Sequence, residues 1–401
     1  MTQPPRRPIP LLGEVQLGPR AARALTAELV RHTGPKSALL VAATASSPVL
    51  AAAREALRPG DTLTVVPLAG AGDELRGQDG LRVVDALAEA DPADLVILAE
   101  PLSGDAAEVR SYLDGLAKYL AAGGVLSVAV LALPDGATGE LARQAALYGA
   151  GTDLVLRNTP PVRVHRLRYT PGEVPKGLTP AYRPSSVPLA GSMHIDSNGV
   201  AAAGIALGLA AAARLARPKS KLWLLPALAA APIAAFFRDP EREPPADEAA
   251  VLAASDGTVL SVERVTDARI AEGELLRVAV FLSVLDVHVN RAPVAGRVVD
   301  YWVEDGGYAP AMNPAAEHNV AAYTVLETER GRVGVAQRTG LIARRIVQRA
   351  PVGSLLARGE RFGLIRFGSR TDVYLPEGAA TATVAPGDKV AGGSTVIARW
   401  R

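Results

Sequence analysis

Apolar and polar positions fall into three textures along the 401 residues. From about residue 20 to 170, short apolar runs alternate with helical patterns. Ala38-Leu39-Leu40-Val41-Ala42-Ala43 is a continuous apolar run of strand length, suited to a parallel strand covered on both faces. A helical pattern follows over Pro48 to Leu57, Pro59-Gly60-Asp61 marks a turn, and Thr62 to Val66 reads as a second strand. Asp94 to Leu98, a helix from about Asp105 to Leu120, a break at Gly123-Gly124 and a strand from Val125 to Val130 continue the alternation. This repetition predicts a doubly wound, Rossmann-like α/β domain over residues 1–170. Within it, His165 lies in "VRVHRLRY", whose alternating arginines read as a solvated face.

Residues 171–198 are rich in Pro, Ser and Gly and read as a linker, with His194 in a loop. Two apolar runs follow within residues 199–237. Val200 to Ala213 is 14 residues long, and Leu222 to Phe237 is 16 residues long with Pro226 and Pro232 inside it. A spanning helix needs about 20 residues. Both runs fall short, and Arg214, Arg217, Lys219 and Lys221 gather at the turn between them. The pattern predicts a helical hairpin lying in the membrane interface or re-entering it, its cationic turn near anionic headgroups. A hairpin buried in a soluble core is the alternative. From residue 238 to 401, short β-rich runs separated by Gly and Pro turns predict a mostly β domain.

Composition narrows the functions. Apolar residues make up 49% of the chain, enough for a large core. Arginine outnumbers lysine 37 to six, yet net charge is only +2 and no long basic stretch stands out, so no nucleic-acid partner is expected. The absence of cysteine excludes disulfides, thiolate catalysis and Cys-ligated metal, and no metal site is expected. "MTQPPRRPIP" is polar and no apolar signal core follows it, so export by that route is not expected.

The order of parts in residues 1–170 resembles a class I methyltransferase, and "YLAAGGVLSVAV" is similar to that family's helix-turn-strand late in the sheet. The turn after the first strand is "ATASSP", with no glycine to let a cofactor reach bare backbone. "TVVP" ends the second strand without the acidic residue that would hold a ribose. The domain is therefore expected to be a degenerate scaffold that does not bind S-adenosylmethionine.

Five stretches further on resemble the phosphatidylserine decarboxylase proenzymes, in that family's order. They are "FFRDPER" (Phe236 to Arg242), "ASDGTV" (Ala254 to Val259), "VFLSVLDVHVNRAPVAG" (Val280 to Gly296), "GLIARRIV" (Gly340 to Val347) and "GERFGLIRFGSRTDVYLP" (Gly359 to Pro376). Taken singly, Asp256 reads as a turn residue, His288 as a core histidine and Ser369 as a loop hydroxyl. The resemblance implies more. Ser369 attacks the carbonyl of Gly368, with His288 as base and Asp256 holding the imidazole. The chain cuts itself between Gly368 and Ser369 into β and α chains, and the former Ser369 becomes a pyruvoyl group. That carbonyl takes up the amine of phosphatidylserine and serves as electron sink while carbon dioxide leaves. Arg291, Arg344 and Arg345 are the candidates for substrate phosphate or carboxylate.

Two departures from the resembled pattern stand out. Relatives typically read Asn-Glu-Arg where this chain has Asn319-Val320-Ala321, and "QRTG" stands where "QIAG" is usual, which puts Arg338 at an apolar position. The resulting expectation is an α/β Rossmann-like N-terminal domain, a helical membrane hairpin and a mostly β decarboxylase domain. Its expected place is the cytoplasmic face of a bacterial membrane, against a phospholipid substrate and an anionic surface, with homo-oligomerisation left open. Decarboxylation of another serine-headed lipid, or an inactive membrane-bound module, are the alternatives.

Overall fold

The computed structural model describes residues 16–181, 186–190, 193–341, 345–366 and 369–401. Of the residues singled out above, Arg344 and Gly368 lie outside the described residues. The chain divides into two compact units, one of Met1–Pro184 with Arg349–Leu355, the other of Ser185–Gln348 with Leu356–Arg401.

The first unit is a seven-stranded sheet among the described residues. Its strands are β1 (Ser37–Ala43), β2 (Thr62–Pro67), β3 (Arg82–Val83), β4 (Ala93–Leu98), β5 (Leu120–Leu131), β6 (Gly149–Val155) and β7 (Val162–Leu167). Their spatial order is β3-β2-β1-β4-β5-β7-β6. The first five are parallel, and β7 runs antiparallel between β5 and β6. This is the doubly wound, Rossmann-like sheet expected from the sequence.

The helices are α1 (Pro19–Leu25), α2 (Pro48–Ala56), α3 (Gly72–Arg76), α4 (Ala106–Ala117) and α5 (Gly136–Tyr148). Alternate side chains of a strand face opposite sides. Leu40 joins Leu25, Val49 and Ile97 on one face, while Leu39 joins Leu113, Leu116, Leu126 and Leu141 on the other. The continuous apolar run of β1 follows from that double coverage. Asp105 and Asp135 start α4 and α5 by accepting from the N–H groups of Ala107 and Thr138.

Two local expectations change. Gly123-Gly124 lies inside β5 rather than before it, at a point where the ladder to β4 shifts register between Ala93 and Leu95. The arginine-rich strand β7 is not a solvated face, because both its neighbours are strands. His165 and Arg166 are buried, Arg166 in an ion pair with equally buried Asp153. Burial pushes the His165 imidazole down to about 4, with Thr152 Oγ1 at 3.1 Å from its Nδ1.

The second unit opens with a two-stranded sheet, β8 (Ser186–Ala190) and β9 (Met193–Asp196), so His194 sits in a strand. The helices α6 (Ser197–Ala216) and α7 (Leu224–Phe236) then pack on each other. Asp196 starts α6 by accepting from Asn198 N–H, three residues before the end-to-end apolar run begins, and the helix continues through Arg214. The result is a 20-residue helix rather than a 14-residue one, long and apolar enough to cross a membrane by length and composition; α7, at 13 residues, is not. Leu207, Leu209, Leu215, Leu225 and Leu228 on the pair are exposed.

The strands that follow are β10 (Ala250–Leu252), β11 (Gly257–Thr266), β12 (Glu274–Leu282), β13 (Val289–Arg291), β14 (Gly296–Glu304), β15 (Ala321–Thr328) and β16 (Gly331–Arg338). They continue as β17 (Ile346–Gln348), β18 (Leu355–Leu356), β19 (Arg361–Ile365), β20 (Ser369–Pro376), β21 (Ala380–Ala382), β22 (Lys389–Val390) and β23 (Val396–Trp400). Eight form one sheet in the order β18-β14-β15-β16-β20-β12-β11-β22. The sets β13-β19-β17 and β10-β23-β21 form two smaller sheets. The unit is mostly β, as its alternating runs predicted.

Candidate active site

Two ladders bring Ser369 and His288 to one region. Ser369 opens β20 opposite Leu282, the last residue of β12. His288 precedes β13, whose Val289 pairs with Leu364 of β19. The Ile365 N–H donates to the His288 carbonyl at 3.2 Å, four residues before Ser369. Both residues are buried.

Neither reactive atom has a hydrogen-bond partner among the described residues. Ser369 Oγ and His288 Nε2 are both fully enclosed and unpaired. An enclosed polar atom without a partner costs about 1–3 kcal/mol, so such atoms are rare and need a reason. The other ring nitrogen of His288 is engaged: Nδ1 lies 2.8 Å from the Asp286 carbonyl oxygen. A carbonyl accepts only, so Nδ1 carries the proton and Nε2 the lone pair. Burial drives the imidazole down to about 4, against the pull of the Asp286 carbonyl. His288 is therefore neutral near pH 7, with its basic nitrogen free.

Asp286 is held in place by its own turn, its carboxylate accepting from the N–H and hydroxyl of Ser283, both at 2.7 Å. The ring of Phe236, the last residue of α7, lies against the imidazole with centroids 4.2 Å apart. The sequence contained both residues within the resembled stretches, but no spacing rule marked Asp286's carbonyl or Phe236's ring as part of the site.

Asp256, expected to hold the imidazole, makes its bonds elsewhere among the described residues. Its carboxylate forms a two-point ion pair with Arg242 and accepts from the Gly392 N–H at 2.9 Å. Its effect on His288 is the weakest of the charge effects there. The tautomer is set by a backbone carbonyl, so Asp256 instead clamps the "FFRDPER" segment to the loop at Gly392. The glycine after it has φ +148°, and any side chain there would collide with the Phe281 carbonyl.

Arg291, expected as a candidate for substrate phosphate or carboxylate, is likewise engaged within the protein. It is 3% exposed, and its guanidinium donates to the Gly359 and Pro240 carbonyls and to Asp239. Desolvation lowers its pKa to about 10. It braces the site, with its Nε left unbonded among the described residues. Arg345 is exposed, and its carbonyl accepts from the Arg366 N–H at 3.2 Å. Arg366, which the sequence reading passed over, donates to Asn198 Oδ1 at 3.0 Å at the start of α6 and lies 5.9 Å from the Phe237 ring.

The two departures in sequence prove to be one feature. Ala321 of β15 and Arg338 of β16 are direct cross-strand partners. Arg338 is buried and donates to Asp372 at 2.8 Å, to Tyr323 Oη at 2.6 Å and to the Glu317 carbonyl at 2.8 Å. Burial opposes its charge, but Asp372 and the tyrosines Tyr374 and Tyr323 hold it protonated. Asp372 also accepts from Arg370 at 2.6 Å. A cation thus stands directly across the ladder from Ala321, on the facing strand. Asn319 keeps a structural task, with its side chain bonded to Ala309 and Thr339.

Comparison with known proteins bears on the family. The phosphatidylserine decarboxylase family profile matches residues 230–398. The phosphatidylserine decarboxylase proenzyme of Symbiobacterium thermophilum is 48% identical over 166 residues, 41% of this chain and 77% of that protein. The proenzyme of Thermobifida fusca is 45% identical over 195 residues, 48% of this chain and 86% of that protein. Among solved structures, TrmN from Thermus thermophilus aligns at 18% identity over 38% of this chain and 49% of that one, with a TM-score of 0.29, too slight a likeness to carry an argument. With an enclosed serine and a neutral histidine at its centre and these relatives beside it, the chain belongs to the phosphatidylserine decarboxylase family, whose members are proenzymes that make a pyruvoyl group from an internal serine.

Proposed function

We propose that this chain matures by attack of the Ser369 hydroxyl on the Gly368 carbonyl, with His288 Nε2 taking the proton, and then decarboxylates phosphatidylserine to phosphatidylethanolamine. The supporting observation is a pair of enclosed atoms, one hydroxyl and one ring nitrogen, without partners among the described residues, on segments that the β12–β20 and β13–β19 ladders draw together. A donor and a base kept out of water and unbonded are ready for each other. The Asp286 carbonyl supplies the orientation that a carboxylate supplies in hydrolase triads. Once formed, the pyruvoyl carbonyl supplies the electron sink for loss of carbon dioxide. His288 is the proton carrier for that step. Arg345, together with Arg344, is the candidate for the substrate's phosphate or carboxylate. Intact-mass analysis of the purified protein tests this reading: residues 369–401 should appear as a separate 33-residue fragment that resists Edman sequencing and reacts with a carbonyl reagent. A protein that stays one chain yet releases carbon dioxide from phosphatidylserine would refute it.

The buried imidazole makes the pH dependence specific. Protonating Nε2 removes the base, so cleavage must fall as pH falls through the folded pKa of about 4. An ordinary histidine would start to fail near pH 6.5. Cleavage rates measured in a series of buffers should stay level from pH 8 to about 5.5 and decline steeply only near pH 4. A midpoint near 6.5 would mean that the base is solvated or is another group.

The α6–α7 hairpin is the proposed membrane contact, at the cytoplasmic face of a bacterial membrane. Its exposed leucines and the cations Arg214, Arg217, Lys219 and Lys221 suit an anionic bilayer. The tilted contact of Phe236 with His288 puts the end of α7 beside the base, which suits a substrate that arrives in a lipid layer. Intact protein should sediment with anionic liposomes. Replacing the four cations with glutamine should weaken that binding most at low salt, because exposed charges are screened over about 8–10 Å in physiological buffer. Protein that stays in the supernatant would remove the membrane claim.

A further inference from the structure

Residues Arg349–Leu355 lie between β17 and β18 in the chain, yet they pack as part of the first, α/β unit. Pro351 to Ser354 form a turn in which the Ser354 N–H donates to the Pro351 carbonyl at 3.0 Å. Gly353, its third residue, has φ +92°, as a type II turn requires. Ala350 and Ser354 are each 1% exposed, so the turn is seated rather than free.

Three groups from separate parts of the α/β unit seat it. Arg168, just past β7, donates to the Gly353 carbonyl at 3.0 Å. Arg31 donates to the Leu355 carbonyl at 2.9 Å. The Ser354 hydroxyl donates to the Ala150 carbonyl of β6 at 3.1 Å. Arg168 is itself anchored on the Gly123 carbonyl at 2.9 Å, and desolvation lowers its pKa. Burying guanidinium groups against neutral carbonyls is unfavourable unless the acceptors are held in place. The kink of β5 and the edge of β6 do that here. The α/β unit is thus fitted to a piece of its own chain.

The seated turn borders the strand that leads to the cleavage site. Arg349 follows β17 directly, and β17 pairs with β19 through Ile346–Ile365, Val347–Leu364 and Gln348–Gly363. β19 in turn runs toward residues 368 and 369. We infer that the methyltransferase-like unit serves as a holder for the Pro351–Ser354 turn, and that maturation at Ser369 reaches its full rate only with the turn seated. The inference rests on the reading of Ser369 as the residue that is cut.

Variants of the full-length protein approach the holder from both sides. Arg31→Met and Arg168→Met remove its donors, while Gly353→Ala and Ser354→Ala alter the turn itself, the latter also removing its bond to the Ala150 carbonyl. Each set should speed hydrogen exchange at residues 350–356 while leaving exchange in β1 and β4 unchanged. Each should slow release of the 33-residue fragment by roughly tenfold, the worth of about one hydrogen bond expressed as a rate. Arg168→Lys, which keeps a charged donor, should recover part of that rate. Unchanged exchange at 350–356, or a released turn with fragment appearing at the wild-type rate, overturns the inference. A wild-type protein that yields no such fragment sinks the Ser369 reading instead. Release of carbon dioxide then decides the holder, since it must fall in both variant sets.

Discussion

Replacing Ser369 with alanine is expected to leave the protein as one 401-residue chain with no carbonyl-reactive fragment and no decarboxylation. The substitution removes only an enclosed oxygen that bonds to nothing among the described residues, so the folded state should be as stable as before or slightly more so. That combination separates a reactive group from a structural one. His288→Ala should slow cleavage by about 10²–10⁴-fold, the usual worth of a positioned base. It also opens space beneath the Phe236 ring, so its folding should be followed alongside. Asp256→Asn leaves the bond from His288 Nδ1 to the Asp286 carbonyl intact. Its effect on cleavage should be much smaller and should arise through loosening of Arg242. Denaturing gels over a time course distinguish the three. A Ser369→Ala protein that still yields the fragment would move the cut to another residue.

Arg338→Ile is expected to be the most damaging change away from the reacting atoms. It strands the fully buried Asp372 with Arg370 as its remaining ion-pair partner, beside the first residues of β20. Removing one member of a buried ion pair typically costs about 3–5 kcal/mol. Arg370 follows Ser369 directly and faces Arg338 across the ladder, so the disturbance reaches the nucleophile. Adding Ala321→Arg to Arg338→Ile places a guanidinium on the facing strand, on the same side of the sheet. The double variant should regain most of the lost stability and cleavage rate. Thermal unfolding and fragment release measure the two. If the double variant is no better than Arg338→Ile alone, the cation's position matters as well as its presence, and the exchange between strands is not equivalent.

This pair of positions shows why some of the molecule was readable and some was not. From sequence, Val320-Ala321 looked like a loss and Arg338 like a misplaced charge. They become one compensated feature only when β15 and β16 pair, because cross-strand proximity has no signature along the chain. The strands β1, β2 and β4 were legible because burial on both faces demands continuous apolar runs, and that demand is local. The arginines of β7 misled for the converse reason: an ion pair with Asp153 let charge enter a covered strand.

The same division runs through the site. Ser369 and His288, the proposed nucleophile and base, were singled out from sequence alone by motifs whose residue types that chemistry requires. Tertiary structure decided what holds them. Orientation of the imidazole fell to the Asp286 carbonyl, which is present at every residue and therefore invisible to a reading of side chains. Asp256 and Arg291, whose types suggested catalysis and substrate binding, were taken up by Arg242 and Asp239. Buried charges must find opposite charges, and which partner each one meets is settled by the packing of distant segments.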